Sequence, residues 1–152
     1  MRLYLVHHGD AVPTEIDVQR PLSARGVADV KSLAAEAARR GVRPVAVWHS
    51  GKLRARQTAE SFWRACNPLA EFSAVRGLQP TDPALWMQNR LAGEAHDVMC
   101  VGHLPNIARL LRILLTGHEE GDLSLPLHGL VALERGDDGV WTESWRLDPS
   151  AR

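Results

Sequence analysis

The stretch DVMCVGHLPNIARLLRILL, residues 97–115, decides the architecture. Val98, Met99, Cys100 and Val101 form an apolar run too short for a helix, and Gly102 closes it. Pro105 then occupies a place that suits the first turn of a helix, and Ile107, Leu110, Leu111, Leu114 and Leu115 recur at helical spacing. A buried strand that runs into an amphipathic helix is a βα unit, and His103 lies in its junction.

The same pattern extends in both directions. Residues 3–6 are a short apolar run followed by His7, His8 and Gly9, and Ser23 is an N-cap for a helix carrying Val27, Val30, Leu33, Ala34, Ala37 and Ala38 up to Gly41. Pro44 introduces a strand at 45–48, after which Ser50 is expected to cap a helix reaching about Cys66. Residues 72–75 read as a strand and 83–91 as a short helix. Two β-prone runs, 129–133 and 140–147, flank Gly136-Asp137-Asp138-Gly139 and predict a closing hairpin. Trp141 and Trp145, four apart on the last strand, are expected on one face and in the sheet core.

Alternating strands and helices predict an α/β fold, a three-layer α/β/α sandwich with a mainly parallel central sheet and a C-terminal hairpin. In such sheets ligands bind beyond the carboxyl ends of the strands. His7, His8, the stretch 49–54 and the stretch 102–105 are therefore expected to converge.

Composition bounds what that site can be for. The 152 residues fit a single domain spanning 1–152, and 45% hydrophobic with 24% charged residues is ordinary globular composition. Eighteen basic residues balance eighteen acidic ones, which disfavours nucleic acid and anionic membrane as partners. All but Lys31 and Lys52 of the cations are arginine, the better bidentate partner for phosphate. Cys66 and Cys100 form no ligand cluster and sit in apolar surroundings as small hydrophobes. The opening MRLYLV lacks the apolar run of a signal peptide, and no segment is long enough to span a bilayer, so a cytoplasmic location is expected.

Three imidazoles at one sheet edge admit two chemistries. Neutral His7, His8 and His103 with Asp10 could ligate a metal. Arg54 argues against it, because a guanidinium repels a divalent cation and suits a phosphoryl group, as does a helix N-terminus beginning at Ser50.

LVHHGDA (5–11), RPLSARG (20–26), SGKLRARQTAE (50–60) and VGHLPNI (101–107) resemble, in order and spacing, the four signature blocks of the histidine phosphatase superfamily. The resemblance is to its small SixA-type phosphohistidine phosphatases, which implies a phosphoglycerate mutase-like fold and a metal-independent phosphatase with no cofactor. By position, His8 matches the family's nucleophile, Arg54 its phosphate-binding arginine and His103 its second phosphate-binding histidine. Arg20 matches a position near the rim of the family's site, with a surface ion pair to Asp17 or Glu15 as the alternative.

Two residues depart from the pattern. The family's first block has arginine where this chain has His7, which offers one donor per nitrogen and is largely neutral above ~pH 6.5. A bound phosphate would raise its pKa, Lys52 could supply some of the missing charge, and His7→Arg is expected to raise the rate. Gly51 stands where the family often has proline, leaving a looser turn.

The leaving group separates the candidate functions. Phosphorylated imidazole expels a group whose conjugate acid has a pKa of ~6.5, so it needs no strong general acid, whereas an alkoxide does. The only carboxylate near 77–83 is Asp82, a candidate acid whose neighbours equally suit a helix N-cap. The preferred reading is hydrolysis of phosphohistidine on a protein, such as a histidine phosphotransfer partner, through a phosphohistidine enzyme intermediate. The alternatives are a phosphomonoesterase acting on a small ester and a non-catalytic phosphate-binding domain weakened by His7. His49 is expected at the site's edge, and His96, His118 and His128 as solvated or capping residues.

Overall fold

In the computed structural model, which describes residues 1–149, the elements follow in the order β1 (Arg2–His7), α1 (Ala24–Arg39), β2 (Ala46–His49), α2 (Leu53–Cys66), β3 (Glu71–Ala74), α3 (Ala84–Ala92), β4 (Val98–Gly102), α4 (Asn106–Thr116), β5 (Leu130–Arg135) and β6 (Trp141–Leu147). The six strands form one sheet in the order β3-β2-β4-β1-β5-β6. The first four strands are mutually parallel, while β5 runs antiparallel to β1 and β6 antiparallel to β5.

Period-two alternation within the strands builds a core on each face. Tyr4, Val6, Val47, Met99, Val101 and Leu130 point to one side, against Val30 and Leu33 of α1 and Ala59 and Phe62 of α2. Leu3, Leu5, Trp48, Cys100, Val131 and Leu133 point to the other, against Met87 and Leu91 of α3 and Ile107, Leu110 and Leu111 of α4. Each large side chain sealed in this way contributes ~1.5–3 kcal/mol. The three-layer α/β/α architecture expected from the sequence is the one observed. Burial pushes the thiols of Cys66 and Cys100 up to about 11 and about 12, so both remain protonated hydrophobes at neutral pH. Among the described residues no helix is long and apolar enough to cross a membrane.

Two expectations need correction. Trp145 packs on the α1/α2 face and Trp141 on the α3/α4 face, on opposite sides of the sheet. Ala132 pairs with Trp145 but Leu133 pairs with Glu143, so Ser144 is the extra residue of a β-bulge and inverts the alternation between the two tryptophans. The second helix begins at Leu53, with Lys52 at the N-cap and no side-chain cap, rather than at Ser50. The Ser50 hydroxyl is engaged elsewhere, 2.6 Å from His103 Nε2 and accepting from Lys52 N–H at 3.2 Å.

The start of α1 is locked to the loop after β1. Ser23 accepts from Gly26 N–H at 3.0 Å and donates to the Asp10 carboxylate at 2.6 Å. A Cβ on Gly26 would lie 2.0 Å from the Asp10 carbonyl oxygen, so only glycine lets the helix approach this loop.

Candidate active site

Parallel register aligns the strand ends: His7 lies beside Gly102 and His49 beside Val101. His8 and His103, each one residue past its strand, come together with ring centroids 4.9 Å apart.

The protonation of His8 follows from its partner. Nδ1 lies 2.7 Å from the Gly9 carbonyl, which can only accept, so Nδ1 carries the proton and Nε2 keeps its lone pair. Burial is the main cause holding the ring's pKa down at about 4; the Gly9 bond acts against it, and repulsion from Arg54, His128 and Arg20 adds to the lowering. At neutral pH Nε2 is therefore an available nucleophile.

Helix α2 delivers three side chains from one face, at i, i+3 and i+4. Arg54 is turned to the histidines. Gln57 accepts from Leu22 N–H at 2.7 Å, fixing the RPLS segment, and Thr58 accepts from Gly9 N–H at 3.0 Å. Burial and the neighbouring Arg20 both disfavour the Arg54 charge, a strain that a bound anion would relieve. Its Nε is fully buried with no partner among the described residues, as is His103 Nδ1. His103, 2% exposed, has its pKa lowered to about 3 by burial and then by His8, Arg54, Lys52 and Arg20.

Arg20 lies close enough for its charge to be felt by His8, His103 and Arg54. Its Nε donates to the Val12 carbonyl at 3.1 Å, and no ion pair with Asp17 or Glu15 occurs among the described residues. Lys52 is exposed at the helix N-cap, near enough to act on His103. Gly51 is more than a looser proline: its φ of +93° is closed to proline, and its N–H donates to His49 Nδ1 at 3.0 Å. That bond and a ring contact with Phe72 hold His49 at the edge of the site.

Asp82 caps no helix, since α3 has Pro83 at its N-cap without a side-chain bond. Its Oδ2 instead accepts from Gly77 N–H at 3.1 Å and Gln79 N–H at 3.0 Å. Asn106 donates to the carbonyls of Gly77 and Asp82, and Gln79 donates to the Ser50 carbonyl at 2.6 Å. The 77–82 loop is thereby tied to both the second and the fourth strand ends.

The largest departure from expectation is His128, which is a member of the cluster and not a solvated loop residue. Its ring stacks on His7 at 4.8 Å and 10°, and its Nδ1 lies 2.7 Å from the His8 carbonyl. Its backbone N–H donates to His7 Nδ1 at 2.7 Å, and its Nε2 is 3.9 Å from Asp10. The signal that could have found it was the hairpin. Because β5 is antiparallel to β1, the residues that precede β5 lie at the carboxyl end of β1, where His7 N–H reaches the Gly129 carbonyl at 3.0 Å.

The trio with metal-like spacing is thus His7, His8 and His128, with ring nitrogens within 4.8 Å of one another, rather than the set with His103 and Asp10. Its chemistry does not fit a cation. His7 Nδ1 accepts an N–H, so its proton sits on Nε2 and no lone pair is left to ligate. Arg54 and Arg20 add positive charge around the cluster. The arrangement suits an anion.

No protein-family model matches the chain. An uncharacterized protein of Picosynechococcus sp. is 28% identical over 144 residues, covering 90% of this chain and 86% of its own. Among solved structures, the protein histidine phosphatase SixA complexed with tungstate is 24% identical, with a TM-score of 0.85 over 99% of both chains. A protein assigned as phosphohistidine phosphatase SixA from Agrobacterium tumefaciens is 28% identical, with a TM-score of 0.79 over 97% of each chain. An alpha-ribazole phosphatase from Shigella flexneri is 16% identical, with a TM-score of 0.76 over 95% of each. The chain carries the histidine phosphatase fold, and its structural neighbours are SixA phosphohistidine phosphatases and other members of that superfamily.

Proposed function

We propose that this chain, with the histidine phosphatase fold and SixA proteins among its structural neighbours, is a phosphatase that removes phosphate from phosphohistidine on a partner protein. One observation carries the reading: His8 Nδ1–H is held by the Gly9 carbonyl, leaving the Nε2 lone pair free beside Arg54 and His103, whose buried Nε and Nδ1 have no hydrogen-bond partner among the described residues. The lone pair attacks phosphorus, a bond from His8 Nε2 forms, and the bond from phosphorus to the substrate's ring nitrogen breaks. The departing imidazole keeps that electron pair and takes a proton from solvent. Water then attacks phosphorus, the bond to Nε2 breaks, and phosphate leaves with His8 restored. Arg54, His103, His7 and Arg20 act by positioning the phosphoryl oxygens and offsetting their charge.

Phosphohistidine is favoured over an ester because Asp82, the acid candidate of the 77–83 loop, is engaged by two loop amides. A protein-borne substrate is favoured by the rim. Leu104, next to His103 in the chain, is 37% exposed and Leu127, next to His128, is 61% exposed, so each of these histidines has an apolar neighbour that a macromolecular partner could cover.

Incubation with a phosphohistidine-bearing protein and acid quenching tests the assignment. Acid-labile label should appear on His8 and vanish in His8→Ala together with turnover. A phosphoenzyme that persists in His8→Ala overturns the assignment, and binding without turnover in the unaltered chain would establish a phosphate-binding module instead.

A further inference from the structure

His7 stands where the resemblance calls for an arginine, and its surroundings explain how it can serve there. Its Nδ1 accepts the backbone N–H of His128 at 2.7 Å. A neutral imidazole carries one proton, so that proton must reside on Nε2. The His128 ring lies flat against it at 4.8 Å and 10°, and the His7 N–H is fixed to the Gly129 carbonyl at 3.0 Å. Ring, tautomer and backbone are all held by the segment that leads into β5. Nε2 has no hydrogen-bond partner among the described residues, and it is not among the side-chain nitrogens that packing seals from solvent. It therefore keeps access to solvent, on a ring whose centroid is 4.4 Å from that of His8.

Resting on the phosphatase reading, we infer that His7 is a neutral, tautomer-locked donor, its Nε2–H directed at a phosphoryl oxygen, and that the His128 backbone amide is what sets it. Each group facing His7 opposes a positive charge on it: His8 at the end of its own strand, His128 ahead of β5, His103 after β4 and Arg54 on α2. Burial is the larger cause, and together they hold its pKa down at about 2. A second proton would also have to occupy Nδ1, directly against an amide hydrogen. The clamp thus divides its work: Arg54 and Arg20 supply charge, and His7 supplies direction without charge.

Nitrogen-15 NMR of histidine-labelled protein reads the tautomer directly. His7 should show a pyridine-type Nδ1 and a pyrrole-type Nε2, both with and without tungstate, unchanged from about pH 6 to about pH 9. Tungstate, the anion bound by one structural neighbour, should bind with an affinity that is flat over this range. His7→Ala should weaken tungstate binding by on the order of 10- to 100-fold, the scale of one hydrogen bond to a charged group. His7→Gln, a neutral donor of similar reach, should recover most of that loss, which a merely structural ring would not allow. A proton on Nδ1, a cationic His7 in the tungstate complex, or affinity that falls tenfold per pH unit overturns the inference while leaving the phosphatase reading intact. Failure of tungstate to bind at all, with no phosphoenzyme at His8, removes both.

Discussion

Thr58 Oγ1 accepts the N–H of Gly9 at 3.0 Å and donates its own proton to the Arg54 carbonyl at 2.8 Å. One hydroxyl thereby couples the residue next to His8 to the turn of α2 that carries Arg54. Thr58→Val keeps the shape of the side chain but leaves the buried Gly9 N–H unpaired, at a cost of ~1–3 kcal/mol. Chemical denaturation should show that loss, and kcat/KM should fall with it. Thr58→Ser, which restores the hydroxyl, should regain both; a Thr58→Val enzyme with unaltered stability would show that the bond contributes nothing.

Stability and catalysis should respond differently to acid. His7, His8 and His103 are held neutral in the fold, at about 2, about 4 and about 3, against ~6.5 in the unfolded chain. Between those values the unfolded state binds protons that the native state refuses. Stability is therefore full above ~pH 6.5 and falls as pH drops below it, approaching ~1.4 kcal/mol per pH unit for each histidine that stays neutral. The midpoint of thermal unfolding should drop from about pH 7 to about pH 5, while kcat/KM of the folded enzyme stays level because His8 has not yet titrated. A kcat/KM that declines near pH 6.5 in fully folded protein would mean that the His8 environment is less desolvated than its burial indicates.

Much of this was legible from the chain because the elements that matter are locally encoded. Ser23 capping α1, the apolar stripe of α4 and the glycine that closes β4 ahead of His103 each state their structure within a few residues, and parallel βα topology then brings His8, Arg54 and His103 to one edge. What stayed hidden depends on register across strands. The Ser144 bulge cannot be read from alternation in a single strand, yet it sends Trp141 and Trp145 to opposite faces. His128 is 121 residues from His7 and carries no motif of its own; only the antiparallel pairing of β5 with β1 delivers it. The brace made by Asp82, Gln79 and Asn106 is likewise a tertiary closure, built from polar side chains that in sequence suit a turn or a cap.

Placing at position 7 the arginine of the histidine phosphatase pattern should harm this protein. A guanidinium has no acceptor, so His7→Arg leaves the His128 N–H without the partner it now has at 2.7 Å and removes the ring on which His128 stacks. A cost of ~1–3 kcal/mol in stability follows from the unpaired amide, and kcat/KM should fall rather than rise. This reverses what the sequence comparison suggests for the same substitution. An increase in kcat/KM with an unchanged unfolding midpoint would show that the loop ahead of β5 adapts to arginine at no expense.

Asp82 offers the sharpest separation between the two enzymatic readings. Its carboxylate accepts from the N–H groups of Gly77 and Gln79 through a single oxygen, and asparagine presents an equivalent carbonyl oxygen to both. Asp82→Asn should therefore keep the 77–82 loop, and with it the Gln79 bond to the Ser50 carbonyl, while abolishing any proton that residue 82 could donate. Hydrolysis of phosphohistidine, whose leaving imidazole needs no strong acid, should stay within a few-fold of the unaltered enzyme. An ester with an alkoxide leaving group would instead lose on the order of 10²- to 10⁴-fold if Asp82 protonates it. Asp82→Ala removes the acceptor as well and should lower both activities together with stability. Parallel rates on a phosphohistidine protein and on a simple alkyl phosphate, measured for both variants, distinguish a structural brace from an acid: a selective collapse of ester hydrolysis in Asp82→Asn would assign the acid role and make the phosphomonoesterase reading the stronger one.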